Sequence, residues 1–459
     1  MAAGAGGSSA RRRAKAVADI DRSLTPGMGV CKDVVLMRTY RLARWFRMTA
    51  AAVAVVGAVA ACSGDPVSAP PVDTSPGAHG GAEPQVKFQD PPQAFAPDHA
   101  SVLQGNWFSS VRNQDIDEVM TVGDGRAYAY DTKLVGVTGL RLADGGTAWR
   151  TRVPDADTLV SAPRFGGGIV AGAFRTDIAG TGTAEDRAAN VVVGFDAVSG
   201  KTLWTQDIGG AENDDSDMLL AQDDPVPEII DMDAEHVLVT VASQGYSETP
   251  PMSVLLDTRT GKVLWTDNDL KAADLDGSAV DGARDDGDFA GLSVSDGHEL
   301  WKRNLGLGHP LIADAGPGLT LAMGTEHDLL IDPATGKAVF DSGDTSLRGC
   351  DYDGRDTTVC FGTGSDVTGL AWAFDVHTHQ VLWQLPDAAA HREAPGVTAA
   401  WHGVVYGVGH DPMTLDARTG KDLRATTGLD DSPFLVTAGY GLVYDDLSHS
   451  VTVYQAAGG

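Results

Sequence analysis

Short apolar stretches alternate with Gly- and Asp-containing turns from about residue 100 onward. Within residues 159–206, the stretches LVSAPRF, GIVAGAF, VVVGFD and KTLWTQ each have the length of a strand, and turn residues separate them. Short runs bounded by such turns are typical of antiparallel strands. The pattern predicts an all-β body, in which each group of four strands forms one unit.

One turn recurs along this body. The segment FDAVSGKTLW (195–204) has equivalents in seven places, aligned on the residue that closes the turn: Trp149, Trp204, Trp265, Trp301, Phe340, Trp383 and Arg424. The sixth unit has His379 four positions before that residue, where the other units have Gly145, Gly200, Gly261, Gly297, Gly336 and Gly420. In five of the units an aspartate stands eight positions before the closing residue.

A four-stranded unit that recurs about every 40 residues predicts a β-propeller. The Asp and Gly residues suit a tight hairpin turn, and we expect each aromatic side chain to fasten its blade to the neighbouring one. The seven units leave strand-like segments at both ends, 101–112 and 433–455. We therefore expect eight blades, the last built from both chain ends, with seven blades as the alternative.

The unit D-x-x-(T/S)-G-K-x-L-W resembles the PQQ-type propeller repeat of the quinoprotein dehydrogenases and of the outer-membrane assembly lipoprotein BamB. The resemblance covers roughly residues 100–459 and implies a bacterial propeller protein. The dehydrogenases carry an adjacent Cys-Cys pair against PQQ and a calcium site of Glu, Asn and Asp. Here no two cysteines are adjacent, and no positions match the calcium ligands. We therefore expect neither PQQ nor Ca²⁺ as a cofactor.

The N-terminal region has the composition of a targeting segment. Four arginines precede the charge-free stretch Met48–Ala61, and the small residues Val59-Ala60-Ala61 stand directly before Cys62. A basic region, a short apolar stretch and a small-residue cleavage site predict a signal peptide, and the last four residues resemble a lipoprotein lipobox. We expect lipidation of Cys62; the alternative is an ordinary secretory signal in which this cysteine is incidental.

These features divide the chain into four parts. Residues 1–36 are a leader or an upstream extension of the true start, 37–61 the signal peptide, 62–97 a Pro/Gly/Ala-rich tether and 98–459 the propeller. A lipid anchor at Cys62 would hold the propeller on the extracytoplasmic face of the cell membrane.

Charge, cysteine content and the absence of catalytic motifs exclude some classes of function. The whole chain has a net charge of −29, and the residues after 61 carry −36, so we expect no nucleic-acid binding. Cys350 and Cys360 flank an Asp-Gly turn in a predicted hairpin. In an exported protein, the oxidising environment would convert them to a disulfide. The sequence contains no HExxH, GxSxG, Walker A or GxGxxG motif, so we expect no catalytic residues.

Three inserts lengthen the units: 177–190, 209–228 and 243–251. The predicted strand order puts all three on the face opposite the recurring turns, and loops on a rigid scaffold commonly bind ligands. The candidate binding residues are Glu212, Asp214, Asp215, Asp217 and Tyr246. Calcium is the alternative for the acidic insert and for residues 274–288, but neither has the ligand and glycine spacing of an EF-hand. We expect both to be solvated acidic loops.

The sequence thus favours a non-catalytic, membrane-tethered propeller that binds an envelope protein or another cell-surface component. A sensor of a small solute or sugar, held in the central channel, is the alternative. A PQQ-dependent oxidoreductase is the third hypothesis.

Overall fold

The computed structural model describes most of the chain after residue 88. The described residues are 89–104, 120–131, 133–159, 162–178, 180, 182, 187–209, 225–243, 250–284, 286–307, 311–364, 369–445, 448 and 450–458. Within them, no helix is long and apolar enough to cross a membrane. The predictions for the signal peptide, Cys62 and nearly all of the tether concern residues outside this part.

The regular structure of the described residues is β-strand throughout. In chain order the strands are β1 (Phe95–Val102), β2 (Met120–Gly123), β3 (Arg126–Asp131), β4 (Gly136–Arg141), β5 (Thr147–Arg152), β6 (Ala156–Leu159), β7 (Arg164–Gly166), β8 (Ile169–Ile178), β9 (Arg187–Asp196), β10 (Thr202–Asp207), β11 (Val226–Met232), β12 (His236–Ala242), β13 (Met252–Asp257), β14 (Val263–Asp267), β15 (Leu270–Asp276), β16 (Ala279–Arg284), β17 (Phe289–Ser293), β18 (Glu299–Arg303), β19 (Leu311–Asp314), β20 (Thr320–Met323), β21 (Asp328–Asp332), β22 (Lys337–Asp341), β23 (Ser346–Tyr352), β24 (Thr357–Thr363), β25 (Gly369–Asp375), β26 (Val381–Leu385), β27 (Gly396–Trp401), β28 (Val404–Val408), β29 (Pro412–Asp416), β30 (Asp422–Arg424), β31 (Leu435–Thr437), β32 (Tyr440–Asp445) and β33 (Ser450–Ala456).

These strands form eight antiparallel blades. Blades 1 to 7 follow the chain as β2–β5, β6–β10, β11–β14, β15–β18, β19–β22, β23–β26 and β27–β30. In blade 2 the innermost strand is split into β6 and β7, which both pair with β8. The innermost strands contact one another in succession, and β31 contacts β2, which closes the ring. The prediction of an eight-bladed, all-β propeller is confirmed.

Blade 8 joins the two ends of the folded body. Its first three strands are β31, β32 and β33, and β1 pairs with β33 as the outermost strand. The predicted boundary at residue 98 falls inside β1, so it is corrected to Phe95 or earlier. Pro97 made this segment resemble the tether, but proline is tolerated in an outermost strand because one edge of that strand is unpaired.

A short strap precedes β1 and lies against blade 7. The Trp401 indole N–H donates to Oδ1 of Asp90 over 2.8 Å, and Nδ1 of His402 lies 2.8 Å from Oδ2 of the same carboxylate. The Tyr406 hydroxyl donates to the carbonyl of Pro92. The chain therefore enters the propeller beside the hairpin between β27 and β28.

Apolar packing lies mainly between blades, where eight clusters of buried side chains fill the spaces around the ring. Five tryptophans on outermost strands each donate an indole N–H to a carbonyl in the recurring turn of the next blade, over 2.7 to 2.9 Å: Trp149, Trp204, Trp265, Trp301 and Trp383. The recurring unit is therefore a fastening between blades.

The glycines of the unit let these tryptophans approach. Gly200 has φ 71°, and a Cβ placed there would lie 2.5 Å from ring atoms of Trp149. Gly261, Gly297, Gly336 and Gly420 meet the tryptophan of the preceding blade in the same way. Gly145 instead lies against the backbone of Val102 in β1. Glycine is needed here for both its backbone conformation and its missing side chain.

The junction of blades 5 and 6 departs from this pattern at both positions. Phe340 replaces tryptophan and packs edge-on against Trp372 and Phe374, with ring centroids 5.2 and 4.9 Å apart. His379 replaces glycine while keeping a positive φ of 57°. By the pattern of the other junctions, residue 379 faces residue 340, and a smaller ring at 340 would leave room for a side chain in the turn.

We expect the two positions to be energetically coupled. Phe340→Trp should be destabilising alone, because the larger ring meets the Cβ of His379, and His379→Gly should relieve that clash. In a double-mutant cycle measured by denaturant unfolding, the double variant should be about 1–2 kcal/mol more stable than the sum of the two single effects predicts. Asp124→Gly, at another position of positive φ, is the control, and its effect should add to that of Phe340→Trp. Additivity of Phe340→Trp with His379→Gly would contradict the linkage.

The predicted disulfide is present. Cys350 on β23 and Cys360 on β24 stand directly opposite in the strand register and are bonded through their sulfurs. Cys360 is fully buried between blades 5 and 6. The bond joins the two inner strands of blade 6, on either side of the predicted Asp-Gly turn.

Candidate functional site

The strand order gives the propeller two faces. The recurring turns and the hairpins between the first two strands of each blade lie on one, the repeat-turn face, and the remaining connections lie on the other, the insert face. The three inserts connect β8 with β9, β10 with β11, and β12 with β13, so all belong to the insert face. Glu212, Asp214, Asp215, Asp217 and Tyr246 lie outside the described residues and stay predictions.

A groove with a volume of about 490 Å³ lies between blades 1 and 2. One side is the crossover that leaves β5, and the other is formed by the last three strands of blade 2. Its lining residues are Arg152, Val153, Pro154, Asp155, Thr176, Asp177, Ile178, Val191, Val193, Thr202, Thr205 and Asp207. Because β8 leads into the first insert, the groove opens beside one of the loops that the sequence indicated.

Backbone contacts fix the shape of this groove. The amide of Val153 donates to the carbonyl of Val135 over 3.1 Å, and the amide of Asp177 donates to the carbonyl of Asp155 over 3.4 Å. Asp155 has a positive φ of 57°, which turns the crossover back towards blade 2. The groove is therefore set mainly by the crossover, and sequence reasoning missed it because no single motif forms it.

The groove has an apolar floor and a charged rim. Val153, Val191 and Val193 are buried, with at most 5% of their surface exposed. Asp155 and Asp177 are on the rim with Arg152, which leaves the rim with one net negative charge, whereas Asp207 already forms an ion pair with Arg187 across blade 2. Such a lining suits an elongated ligand that combines apolar groups with positive charge.

The described residues offer no arrangement that fits PQQ and calcium. Among them, no group of three or more His, Cys, Asp and Glu side chains could hold a metal ion. Cys350 and Cys360 are bonded to each other across two strands, whereas the dehydrogenases place adjacent cysteines against the quinone.

The prediction of a solvated acidic loop at residues 274–288 is wrong. Residues up to Arg284 form the hairpin of β15 and β16, turning at Gly277 and Ser278, and Asp274 and Asp281 are buried within it. The signal for a hairpin was present, because apolar Leu275 and Val280 flank a Gly-Ser turn. Because the segment is rich in aspartate, it resembled a polar loop instead of a hairpin.

Part of the chain matches a known family. The family model described as "Outer membrane protein assembly factor BamB" matches residues 104–306, which include blades 1 to 4. Among curated proteins, none matches the chain.

Similar solved structures include BamB from Moraxella catarrhalis, at 17% identity, with 74% of this chain and 97% of that chain covered and a TM-score of 0.39. The computationally designed Ika8 protein is 13% identical, with 79% and 99% covered and a TM-score of 0.46. Quinohemoprotein alcohol dehydrogenase ADHIIG from Pseudomonas putida HK5 is 12% identical, with 75% of each chain covered and a TM-score of 0.42.

Proposed function

Because the folded body of this chain is a PQQ-like β-propeller, we propose that it is a non-catalytic scaffold that binds a protein of the bacterial cell envelope. The observation that carries the proposal is the groove between blades 1 and 2, which opens beside the inserts. The description of the matched family as an outer membrane protein assembly factor supports a protein partner.

The partner presents a basic, partly apolar segment to this groove. Asp155 and Asp177 on the rim attract positive charge, and the net charge of −36 after residue 61 adds a long-range attraction for basic proteins. The buried valines of the floor accept apolar side chains. The inserts with Asp214 and Tyr246 extend the contact.

The strap lies against the hairpin of β27 and β28, which belongs to the repeat-turn face. In this proposal Cys62 carries the lipid that anchors the scaffold. The proposed location is the extracytoplasmic face of the cell membrane.

We propose no PQQ or calcium cofactor, since the described residues do not fit that pair. Co-elution of a quinone absorbance with the purified protein, after addition of PQQ and Ca²⁺, would contradict the non-catalytic proposal.

Site-specific photo-crosslinking in intact cells tests the binding face. A photoreactive residue at Asp177 or Thr205, both exposed in the groove, should give an adduct with an envelope protein. The adduct should weaken when Asp155→Lys is added, because that change reverses the rim charge, and when Cys62→Ser removes the anchor. Crosslinking from Asp214 and Tyr246 should capture the same protein.

Val198 is the matched control, because it is 62% exposed in the recurring turn of the same blade, on the opposite face. An equally strong adduct from Val198, or adducts that contain only this protein, would refute binding at the insert face.

A further inference from the structure

The outer edge of blade 2 adjoins the groove and carries no charge along most of its length. Within the described residues, β10 is the outermost strand of this blade, and its stretch from Thr202 to Gln206 is uncharged. The outermost strands of blades 1, 4 and 7 instead carry pairs of charged residues: Arg150 with Arg152, Lys302 with Arg303, and Asp422 with Arg424. Charged side chains on an edge strand discourage pairing with another chain. The edge of blade 2 does not have this protection.

The backbone of β10 presents hydrogen-bonding groups at that edge. The amide of Ile208 donates to the carbonyl of Asn190 over 2.9 Å, which fixes the bonded pairs between β10 and β9. Bonded and non-bonded pairs alternate along an antiparallel ladder, so Thr205 belongs to a non-bonded pair. Its N–H and C=O groups therefore point away from β9, towards the free edge. Asp207 is the next residue of this kind, and its carbonyl already accepts from the side-chain amide of Gln206 over 2.7 Å.

A strand added at this edge would place alternate side chains over the groove. Thr205 and Val193 stand directly opposite each other on β10 and β9, and both line the groove. A residue paired with Thr205 on its outer side projects its side chain onto the same face. Apolar side chains of the added strand therefore pack over Thr205 towards the valine floor. One basic side chain complements the single net negative charge of the rim, at Asp177.

We propose that the envelope protein adds an extended strand to β10, antiparallel to it, with an apolar residue paired with Thr205 and one Lys or Arg near Asp177. The inference rests on the proposed function and specifies how the partner is held. Main-chain hydrogen bonds to the edge provide affinity, and the groove selects alternate side chains. The bound segment has no proline at the residues that pair with β10, because proline lacks the N–H donor.

Photo-crosslinking in intact cells from Thr202, an exposed lining residue of the groove, tests strand addition when it is combined with Thr205→Pro. The substitution removes an outward N–H and leaves the hydrogen bonds between β10 and β9 in place, so an outermost strand tolerates it. The yield of the adduct should fall at least about fivefold, because a main-chain hydrogen bond is lost and the proline ring occupies the space of the added strand.

Thr266→Pro is the matched control. Thr266 follows Trp265 as Thr205 follows Trp204, and it is exposed on β14, the outermost strand of blade 3. This variant should keep the yield within about twofold of the parent. An adduct that persists in Thr205→Pro, or equal losses in both variants, would overturn strand addition and leave the scaffold proposal in place. Absence of any adduct in the parent would refute both proposals, and adducts that contain only this chain would show a second copy in the groove and overturn the inference.

A second measurement uses the detergent-purified full chain and does not depend on a proline variant. The probe is a labelled heptapeptide, Lys-Val-Thr-Val-Thr-Val-Thr, followed by fluorescence anisotropy. In antiparallel pairing with valines over the groove, the valine amides donate to β10 and the threonine amides point away. N-methylation of the three valines should therefore weaken binding at least about tenfold, and N-methylation of the three threonines should change it by less than about threefold. Equal or reversed effects would overturn the inference, as would absence of saturable binding by the unmodified peptide.

Discussion

Gly200→Ala should destabilise the propeller by about 2–5 kcal/mol, because it combines a strained backbone with an overpacked junction. The new methyl group would lie 2.5 Å from ring atoms of Trp149, and Gly200 has φ 71°. Both the ring and the turn are fixed by the indole hydrogen bond to Ala197. Chemical denaturation followed by tryptophan fluorescence gives the free energy of unfolding.

Gly125→Ala separates the two causes. Gly125 also has φ 71°, but a Cβ placed there would meet nothing within 4 Å. This control should cost only about 1–2 kcal/mol, the penalty for a side chain in the left-handed region. Equal losses from the two substitutions would show that the tryptophan contact contributes nothing.

Asp281→Asn should stabilise the protein by about 2–4 kcal/mol at pH 8 and have little effect near pH 3. Burial raises the pKa of Asp281 from 3.8 to about 7, and the charges of Asp276 and Asp314 add to the shift. An acid with a raised pKa holds its proton in the folded state after the unfolded chain has lost it. Its contribution to stability is therefore present below about pH 4 and is lost as the pH rises towards 7.

Unfolding measured from pH 3 to pH 8 checks this prediction. Stability of the parent should fall with rising pH relative to Asp281→Asn, which has no proton to lose. Asp344→Asn, at an exposed position, should follow the parent within about 0.5 kcal/mol throughout. A parallel course for parent and Asp281→Asn would show that the buried carboxylate does not titrate in this range.

Features that repeat were predictable from the sequence, and features that occur once were mostly not. The spacing of Trp204 and Gly200 recurs, so the turn and the blade followed from it, and the strand-like segments at the two ends indicated the eighth blade. The disulfide followed because Cys350 and Cys360 flank a local Asp-Gly turn. The prediction of the blades depended on a repeated spacing, and the prediction of the disulfide depended on contacts between nearby residues.

The groove and the buried aspartates of blade 4 depend on contacts between distant segments. Val153 and Val193 look like ordinary strand residues, and they line a groove because the crossover after β5 turns back towards blade 2. Asp274 and Asp281 resembled residues of a polar loop, since aspartate is rarely fully buried. Asp274 on β15 accepts a hydrogen bond from Thr320 of blade 5, and Asp281 is its partner on β16. Their burial therefore depends on packing between blades, which local sequence does not encode.

The shared blade 8 has a consequence for biosynthesis. Phe95 pairs with Ala456, so a strand made early must wait for one made more than 350 residues later. Until β33 emerges from the ribosome, the ring stays open and β1 has no partner. Unpaired strand edges promote aggregation of incomplete chains. A chaperone that shields the early blades, or slow release of the chain, would therefore raise the yield of closed rings.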